Sequence, residues 1–173
     1  PIEQEGTYPL PEAQLDRFLM HVMIGYPETS AEREILRLAR QEARQGTPTT
    51  TEPVTADQVH HARQAVAEVF MADAVEDYLL ALVLATRDPS ALDDNLARWL
   101  AFGVSPRGTI ALDRCSRAMA WLDGRDYVTP DDVRAIAPDV LRHRLILTFD
   151  AEAGGVTPDD VINRLLERVP VTA

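Results

Sequence analysis

The sequence has no long apolar run, only one cysteine and few basic residues. No apolar stretch reaches the roughly 18 residues that a membrane-spanning helix needs, so no membrane segment is predicted. A single cysteine, Cys115, excludes an internal disulfide and is typical of a reducing compartment such as the cytoplasm. Acidic residues outnumber basic ones by 28 to 17, which gives a net charge of −11. Because such a chain repels the phosphate backbone of DNA, we expect no nucleic-acid partner.

The common signatures of an enzyme active site are also missing. There is no Gly-x-x-x-x-Gly-Lys-Ser/Thr phosphate loop, no Gly-x-Gly-x-x-Gly and no nucleophile elbow. The adjacent His60 and His61 would point about 100° apart on a helix and cannot easily share one metal ion, so no metal site is predicted. Cys115 falls at core spacing with Leu112 and Met119, which predicts a small buried residue rather than a nucleophile.

From Thr29 onward, the sequence is dominated by helix signals. Capping residues predict helix starts at Thr29 with Glu32, Thr55 with Gln58, Ser90, Ser105 before Pro106, Thr129 before Pro130, and Thr157 before Pro158. Residues 45–53 are predicted to form a loop. Residues 145–149 either end a helix or form a short strand, and their periodicity does not decide between the two. The expected fold is mainly α, with a bundle of about six or seven helices.

Residues 19–24, Leu-Met-His-Val-Met-Ile, are an apolar run that Gly25 and Pro27 close. Such a run is typical of a strand buried in a parallel sheet, and residues 11–17 before it favour a short helix. A parallel strand needs neighbours that the rest of the chain does not offer. We therefore expect its partners upstream of Pro1 and interpret the chain as a fragment. Without that sheet, we expect the segment to disorder, to become helical or to pair with another copy of the chain.

Two arginines are candidates for functional residues, Arg107 for phosphate binding and Arg17 for a catalytic role. Arg107 follows Ser105 and Pro106, so it occupies about the second position of a helix, where a cation opposes the helix dipole at a cost of about 0.3–1 kcal/mol. An anion bound there would offset that cost, and the arginine fork matches phosphate oxygens. The alternative is an exposed arginine that pairs with a nearby carboxylate. Arg17 lies where the short helix meets the apolar run, and is either catalytic or a solvated boundary residue.

Both arginines belong to stretches that resemble one family. Residues 1–18, Pro-Ile-Glu-Gln-Glu-Gly-Thr-Tyr-Pro-Leu-Pro-Glu-Ala-Gln-Leu-Asp-Arg-Phe, resemble the segment after the sensor 1 strand of MoxR-type AAA+ ATPases. Residues 103–108, Gly-Val-Ser-Pro-Arg-Gly, resemble the family's Gly-Ala-Ser-Pro-Arg-Ala sensor 2 element, with Val104 and Gly108 in place of the alanines. Two further stretches are similar to the family's lid domain: residues 124–133, and residues 140–144 (Val-Leu-Arg-His-Arg).

This resemblance implies two domains. Residues 1–27 would be the end of an α/β P-loop core, with one helix and one strand, and residues 28–173 would be a helical lid domain. Arg17 then matches the arginine finger, which acts in trans on the γ-phosphate held by the adjacent subunit. Arg107 matches the sensor 2 arginine, which binds the phosphates of a nucleotide held by its own core. Such positioning and charge stabilisation are what phosphoryl transfer requires.

The resemblance further implies a parent ATP hydrolase that uses ATP and Mg²⁺. This parent would form a homo-oligomeric ring, expected to be a hexamer, and would act in the cytoplasm as a chaperone-like remodeller of partner proteins. The phosphate loop, the Walker B acid and the sensor 1 asparagine are not found in this sequence. We therefore expect that the fragment alone neither binds ATP tightly nor hydrolyses it.

Two other functions stay open at this point. One is a non-enzymatic helical protein-interaction module whose acidic faces bind basic partners, and it predicts that changing Arg107 alters no nucleotide effect. The other is a DNA-binding helical domain. Its best-placed recognition helix, residues 105–122, carries Asp113 among its arginines, and the acidic balance of the chain argues against it. A mobility-shift assay at low salt distinguishes the two.

Overall fold

A computed structural model describes residues 10–46 and 52–171 of the chain. Residues 1–9, which open the stretch that resembles the AAA+ core, residues 47–51 of the predicted loop, and residues 172–173 lie outside the described part. The described part is mainly α-helical, as predicted. Its helices are α1 (Glu12–Leu15), α2 (Thr29–Gln45), α3 (Ala56–Glu68), α4 (Asp73–Arg87), α5 (Asp94–Trp99), α6 (Pro106–Leu122), α7 (Pro130–Leu141), α8 (Phe149–Ala153) and α9 (Pro158–Arg168). Two short strands, β1 (Leu100–Phe102) and β2 (Ile146–Leu147), pair antiparallel.

The chain divides into two compact units. One unit spans residues 22–63, with α2 and the first part of α3, and none of its described side chains is buried. The apolar side chains of Ile35 and Leu38 on α2 are at least half exposed. The other unit contains the described residues up to His21 and those from Gln64 onward, and it holds the hydrophobic core. The division into a core remnant and a lid at residue 27 stays a prediction.

The core of the larger unit is built from α4, α6, α7 and α9. Each helix carries apolar residues at helical spacing, which buries Leu79, Leu112, Val133 and Ile162 almost completely. Tyr78 is also fully buried, and its hydroxyl accepts a hydrogen bond from a guanidinium N–H of α7 at 3.0 Å. This packing fixes where the N-terminus of α6 and the C-terminus of α7 lie.

Several predicted caps are present. Ser105 is the N-cap of α6, and its hydroxyl accepts a backbone N–H of the first turn. Thr129 and Thr157 each form a capping box with the aspartate three residues later. Thr55 forms one with Gln58, which lies three residues beyond it. These helices start where the sequence supplies short-range partners for their first N–H groups.

Two other predicted caps are wrong. Thr29 already belongs to α2, and Glu28 occupies the N-cap without a side-chain hydrogen bond, so Thr29 and Glu32 form no capping box. The reason is that an N-cap residue must have non-helical dihedrals, which Thr29 lacks. Ser90 lies in a 3-10 turn, and Asp93 caps α5 instead. The Asp93 carboxylate accepts two backbone N–H groups, so it satisfies more of the unpaired donors of that helix than a single bond would.

The strand predicted at residues 19–24 is not formed. Residues 20–28 have neither helix nor strand, and Ile24 is 92% exposed. A parallel strand requires a hydrogen-bonded neighbour, and within residues 10–46 and 52–171 the only sheet is the pair of β1 and β2. The start of this segment is held in another way, because the N–H of His21 donates to the carbonyl of Asp139 at 2.8 Å. Pairing with another copy of the chain stays a prediction.

The structure resolves the alternatives at residues 145–149. Ile146 and Leu147 form β2, so the short strand is the correct alternative. Thr148 then caps α8, a five-residue helix that was not predicted from the sequence. The described residues from Thr29 onward therefore contain eight α-helices, one more than the upper predicted number.

Candidate functional site

The loop that leads into α6, one residue before Arg107 in its first turn, is tied to the C-terminal end of α4. The N–H of Val104 donates to the hydroxyl of Thr86 at 2.9 Å, and Arg87 Nε donates to the carbonyl of Val104 at 2.8 Å. Gly103 permits this close approach, because a Cβ at that position would lie 2.3 Å from the carbonyl oxygen of Thr86. The loop therefore presents Arg107 from a fixed backbone.

Ser105 joins this loop to the segment that carries Arg17. Its hydroxyl accepts the N–H of Arg107 at 3.2 Å and lies 2.8 and 3.0 Å from the two carboxylate oxygens of Asp16, to which it donates. Asp16 is the C-cap of α1 and directly precedes Arg17. The same carboxylate lies 4.0 Å from Arg107 Nε, and the Arg107 side chain is 57% exposed. This is the carboxylate contact that the alternative interpretation of Arg107 predicts, but at such a distance and exposure it is weak.

Arg144 holds the Arg17 segment from the opposite side. Its side chain is 2% exposed, and its Nε donates to the Asp16 carboxylate at 3.1 Å. The two other guanidinium nitrogens donate to the backbone carbonyls of Asp16, Phe18, Leu19 and Val140. Burial lowers the pKa of Arg144, while Asp16 raises it, and the side chain stays charged because arginine is not deprotonated in proteins.

Arg17 and Arg107 line one open pocket of about 400 Å³, together with Arg114 and Arg144. Asp16 is the one carboxylate in this lining. Among the residues that the structure describes, Arg17 and Arg114 have no ion-pair partner. The pocket is therefore a local concentration of positive charge on a chain whose net charge is −11.

Phosphate groups suit this pocket chemically. Guanidinium forks match phosphate oxygens, and the N-terminal turn of the 17-residue helix α6 adds the positive end of its dipole. Over the described ranges, no group of three or more His, Cys, Asp or Glu side chains could hold a metal ion. The arrangement can bind and polarise an anion.

The sequence identified the two arginines but not the residues that bring them together. Arg144 lies in the Val-Leu-Arg-His-Arg stretch, which indicated the family without indicating a contact. Asp16 was adjacent to Arg17 but gave no sign of its long-range partners. Arg114 follows Arg107 by seven residues, two turns along one face of α6, and this spacing was the signal that could have found it.

The remaining candidates lie elsewhere. His60 and His61 are exposed on α3. Cys115 is buried in α6, as predicted, and burial raises the pKa of its thiol. His143, which precedes Arg144, places its Nε2 3.1 Å from the carbonyl oxygen of Phe18. Burial lowers the pKa of His143.

Known proteins share both the site segments and the lid. The AAA lid domain family matches residues 95–165, and the family described as ATPase family associated with various cellular activities (AAA) matches residues 1–20. Chaperone MoxR1 of Mycobacterium tuberculosis is 44% identical over 172 residues, which cover 98% of this chain and 44% of that relative. This chain belongs to the MoxR family of AAA+ proteins.

A second relative, the protein YeaC of Bacillus subtilis, is 37% identical over 172 residues, which cover 99% of this chain and 50% of that relative. A crystal structure of a protein from Cytophaga hutchinsonii has a TM-score of 0.93 and 37% identity, and the match covers 100% of this chain and 52% of that one. The chain thus spans about half the length of the curated relatives it matches, and it corresponds to the C-terminal region of the MoxR family. In residues 10–46 and 52–171, no helix is long and apolar enough to cross a membrane.

Proposed function

We propose that this chain is the lid and arginine-finger portion of a MoxR-type AAA+ ATPase that couples ATP binding and hydrolysis to chaperone-like remodelling of partner proteins. One observation carries the proposal. Arg17 and Arg107, which match two phosphate-contacting arginines of the family, line the same pocket and are joined through Asp16 and Ser105. When an exposed arginine binds a ligand, its side chain loses conformational entropy. Charge-assisted hydrogen bonds to an anion are strong enough to offset that loss.

In this proposal, Arg17 is the arginine finger and acts in trans on the γ-phosphate of a nucleotide held by the adjacent subunit. Arg107 is the sensor 2 arginine and binds nucleotide phosphate. The family resemblance assigns the nucleotide of Arg107 to its own subunit, whereas the shared pocket favours a single nucleotide for both arginines. Both assignments place positive charge where phosphoryl transfer needs it.

The cofactors and the assembly follow from the family. AAA+ ATPases use ATP and Mg²⁺, and a finger that acts in trans requires a neighbouring subunit, so we propose a homo-oligomeric ring, a hexamer. The nucleotide would be held mainly by core elements absent from this sequence, and the chain alone is not expected to bind ATP tightly or hydrolyse it. Partner proteins are the proposed substrates and the cytoplasm the proposed location. No nucleic-acid partner is proposed for a chain of net charge −11.

The test is ATP hydrolysis by the full-length protein with Arg17→Ala or Arg107→Ala. We expect Arg17→Ala to lower kcat by about 10³-fold, in line with other arginine fingers. Arg107→Ala should lower activity less, because it removes one of several positive groups around the same phosphates. The matched control is Arg98→Ala, which removes an exposed arginine of α5 that contacts only its own helix through its side chain.

Mixed rings separate the two assignments. Subunits with Arg17→Ala are mixed with subunits that cannot hydrolyse ATP but keep Arg17, so that some interfaces combine an intact nucleotide site with an intact finger. Recovered activity would support action in trans, and the same mixture made with Arg107→Ala shows whether Arg107 serves its own or the neighbouring nucleotide. If both single variants hydrolyse ATP at the normal rate, the site assignment fails and the helical interaction module becomes the better interpretation.

A further inference from the structure

The backbone around Arg17 has little regular structure of its own. After α1 ends at Leu15, residues 16–19 form turns and a bend, and residues 20–28 have no regular structure. The carbonyls of such a segment need hydrogen-bond partners from elsewhere in the molecule. Here the partners come from three consecutive residues at the C-terminal end of α7, which we name the Arg-His-Arg clamp: Arg142, His143 and Arg144.

Arg144 makes the largest contribution to the clamp. A guanidinium has five N–H donors, and the structure gives an acceptor to each of them. Four of the five acceptors belong to residues 16, 18 and 19, on both sides of Arg17, and the fifth is the carbonyl of Val140. Arg17 itself contributes no acceptor, and its side chain is exposed at the pocket. Arg144 therefore fixes the backbone on both sides of Arg17, and all five of its hydrogen bonds go to other residues.

The other two residues extend this grip toward the end of the segment. His143 Nε2 lies 3.1 Å from the carbonyl oxygen of Phe18, and an Arg142 Nη donates to the carbonyl of His21. Arg142 is itself oriented by the carboxylates of Asp139 and Asp159. All three clamp residues thus bind main-chain carbonyls of residues 16–21. This pattern indicates that they hold the backbone of the segment, which surface ion pairs between side chains would not do.

Burying the Arg144 guanidinium costs desolvation free energy, which its ion pair with Asp16 need not fully offset. Replacing a buried ion pair by apolar residues of similar volume is often neutral or stabilising, so stability alone does not account for a buried arginine at this position. The Asp16 carboxylate offers another reason, because it binds both Arg144 and Ser105, the cap of the helix that carries Arg107. A shift of the clamp would move both site arginines relative to a bound phosphate.

We propose that the Arg-His-Arg clamp, and Arg144 above all, positions the arginine finger: Arg144 is a positioning residue that holds residues 16–19 on the lid, so that Arg17 is presented in register with Arg107. This inference rests on the proposed function of Arg17. A displacement of about 1 Å in a catalytic group can cost about 10²-fold in rate, so loss of the clamp should act on kcat.

The experiment uses the full-length protein with Arg144→Ala, Arg144→Lys, Arg17→Ala and the double variant Arg17→Ala/Arg144→Ala. We expect Arg144→Ala to lower kcat by about 10²-fold with little change in KM for ATP, since the finger acts mainly in the transition state. Arg144→Lys keeps the charge beside Asp16 but loses the fork, and should fall between the wild type and Arg144→Ala. The double variant should be no slower than Arg17→Ala alone, because the clamp acts only through the finger.

Arg125→Ala is the control for a purely structural effect. Arg125 pairs with the buried carboxylate of Asp132 at 2.6 Å, so its loss also leaves a buried charge unpaired, but it contacts nothing in residues 16–21. Peptide-resolved hydrogen exchange supplies a second readout. Exchange should rise in residues 12–21 of Arg144→Ala and Arg144→Lys, and stay unchanged there in Arg125→Ala.

Each outcome decides between the two proposals. If Arg17→Ala is slow but both Arg144 variants keep normal kcat and normal exchange in residues 12–21, the positioning role is wrong and the finger stands. A double variant slower than Arg17→Ala by the full factor of Arg144→Ala would also overturn it, since Arg144 would then act by another route. If Arg17→Ala itself is fully active, the proposed function fails, while raised exchange in Arg144→Lys would still support the clamp as a holder of the backbone.

Discussion

The two site arginines are presented by two different kinds of structure. Arg107 projects from the first turn of a 17-residue helix, and the cap, proline and glycines that shape this turn lie within a few residues of it. Arg17 projects from an irregular segment, and the side chains that bind the carbonyls of the next two residues are more than 120 residues away in sequence. The turn that carries Arg107 is shaped mainly by its own short sequence, although Val104 before it also bonds to Thr86 and Arg87. The carbonyls around Arg17 are bound by side chains from the far end of the chain, so the position of Arg17 depends more strongly on the fold of the lid.

The largest expected loss of stability comes from a substitution at Gly103, in the loop that leads to Arg107. In Gly103→Ala, the added Cβ would lie 2.3 Å from the Thr86 carbonyl oxygen and 2.8 Å from the Arg87 backbone nitrogen, and these main-chain atoms cannot easily move. We expect a loss of about 3 kcal/mol in the free energy of unfolding, measured by thermal or urea unfolding. Gly25→Ala is the control, because nothing lies within 4 Å of its added Cβ, and it should change stability by less than about 0.5 kcal/mol.

A substitution at Gly108, in the same turn as Arg107, is expected to have an intermediate effect on stability. A Cβ on Gly108 would lie 2.0 Å from Val104 Cγ1, so here the larger residue at 104 occupies space that alanine would need at 108. We expect Gly108→Ala to cost about 1–3 kcal/mol despite the better helix propensity of alanine. Val104→Ala should also be destabilising alone, because Val104 is 1% exposed.

The double variant Val104→Ala/Gly108→Ala restores the pair of alanines of the family's sensor 2 element. It should recover at least about 1 kcal/mol relative to the sum of the single changes, as a double-mutant cycle measures. If the stability changes of the two single variants simply add, the side chains at positions 104 and 108 do not compete for the same space.

The smallest effect concerns the remotely held region and depends on pH. The Nε2–H of His143 donates to the Phe18 carbonyl, whereas its buried Nδ1 has no hydrogen-bond partner in the described part of the chain, so a second proton on Nδ1 would be buried without an acceptor. Burial, with Arg144 and His21 nearby, lowers the pKa of His143 below the ordinary value of 6.5, and the hydrogen bond to the Phe18 carbonyl, with a smaller contribution from Asp16, only partly opposes this. Below pH 6.5, the unfolded state thus binds more protons than the folded state, and stability should fall as the pH drops toward the lowered pKa.

His143→Gln tests this assignment. Glutamine can still donate to the Phe18 carbonyl but does not titrate, so the variant should lose this part of the pH dependence between about pH 7 and pH 5. Thermal unfolding of both proteins across that range measures it. An unchanged pH profile in the variant would show that another group is responsible.

The contrast between the two regions also explains what the sequence could predict. Ser105 and Thr157 were identified as caps because the groups that they bond lie within three residues. The apolar run at residues 19–24 was predicted to be a strand beside partners expected upstream of Pro1, and within the described residues it has no such neighbour and forms no strand. Periodicity alone cannot show whether a neighbouring strand exists. The mainly α fold needed only periodic and capping signals, and it was predicted correctly.

The site was predictable only in part. The family resemblance singled out Arg17 and Arg107, and no property of either residue alone showed that they share a pocket. Asp16 and Arg144 form their bond across 128 residues, and nothing in either local sequence signals such a contact. Long-range hydrogen bonds from one buried side chain to main-chain carbonyls leave no pattern in the sequence of the segment that they hold.

The hydrogen bonds from Arg144 fix the backbone of residues 16–19 without depending on which side chain stands at position 17. Because Arg144 grips carbonyl oxygens there and, among side chains, only the Asp16 carboxylate, the residue at position 17 can change without releasing its backbone. Position 17 is accordingly a suitable attachment point for a reporter group. A cysteine placed there would be exposed, whereas the native Cys115 is buried with a raised thiol pKa and reacts poorly. The molecule thus offers one selectively addressable position at the place where subunit contact is proposed.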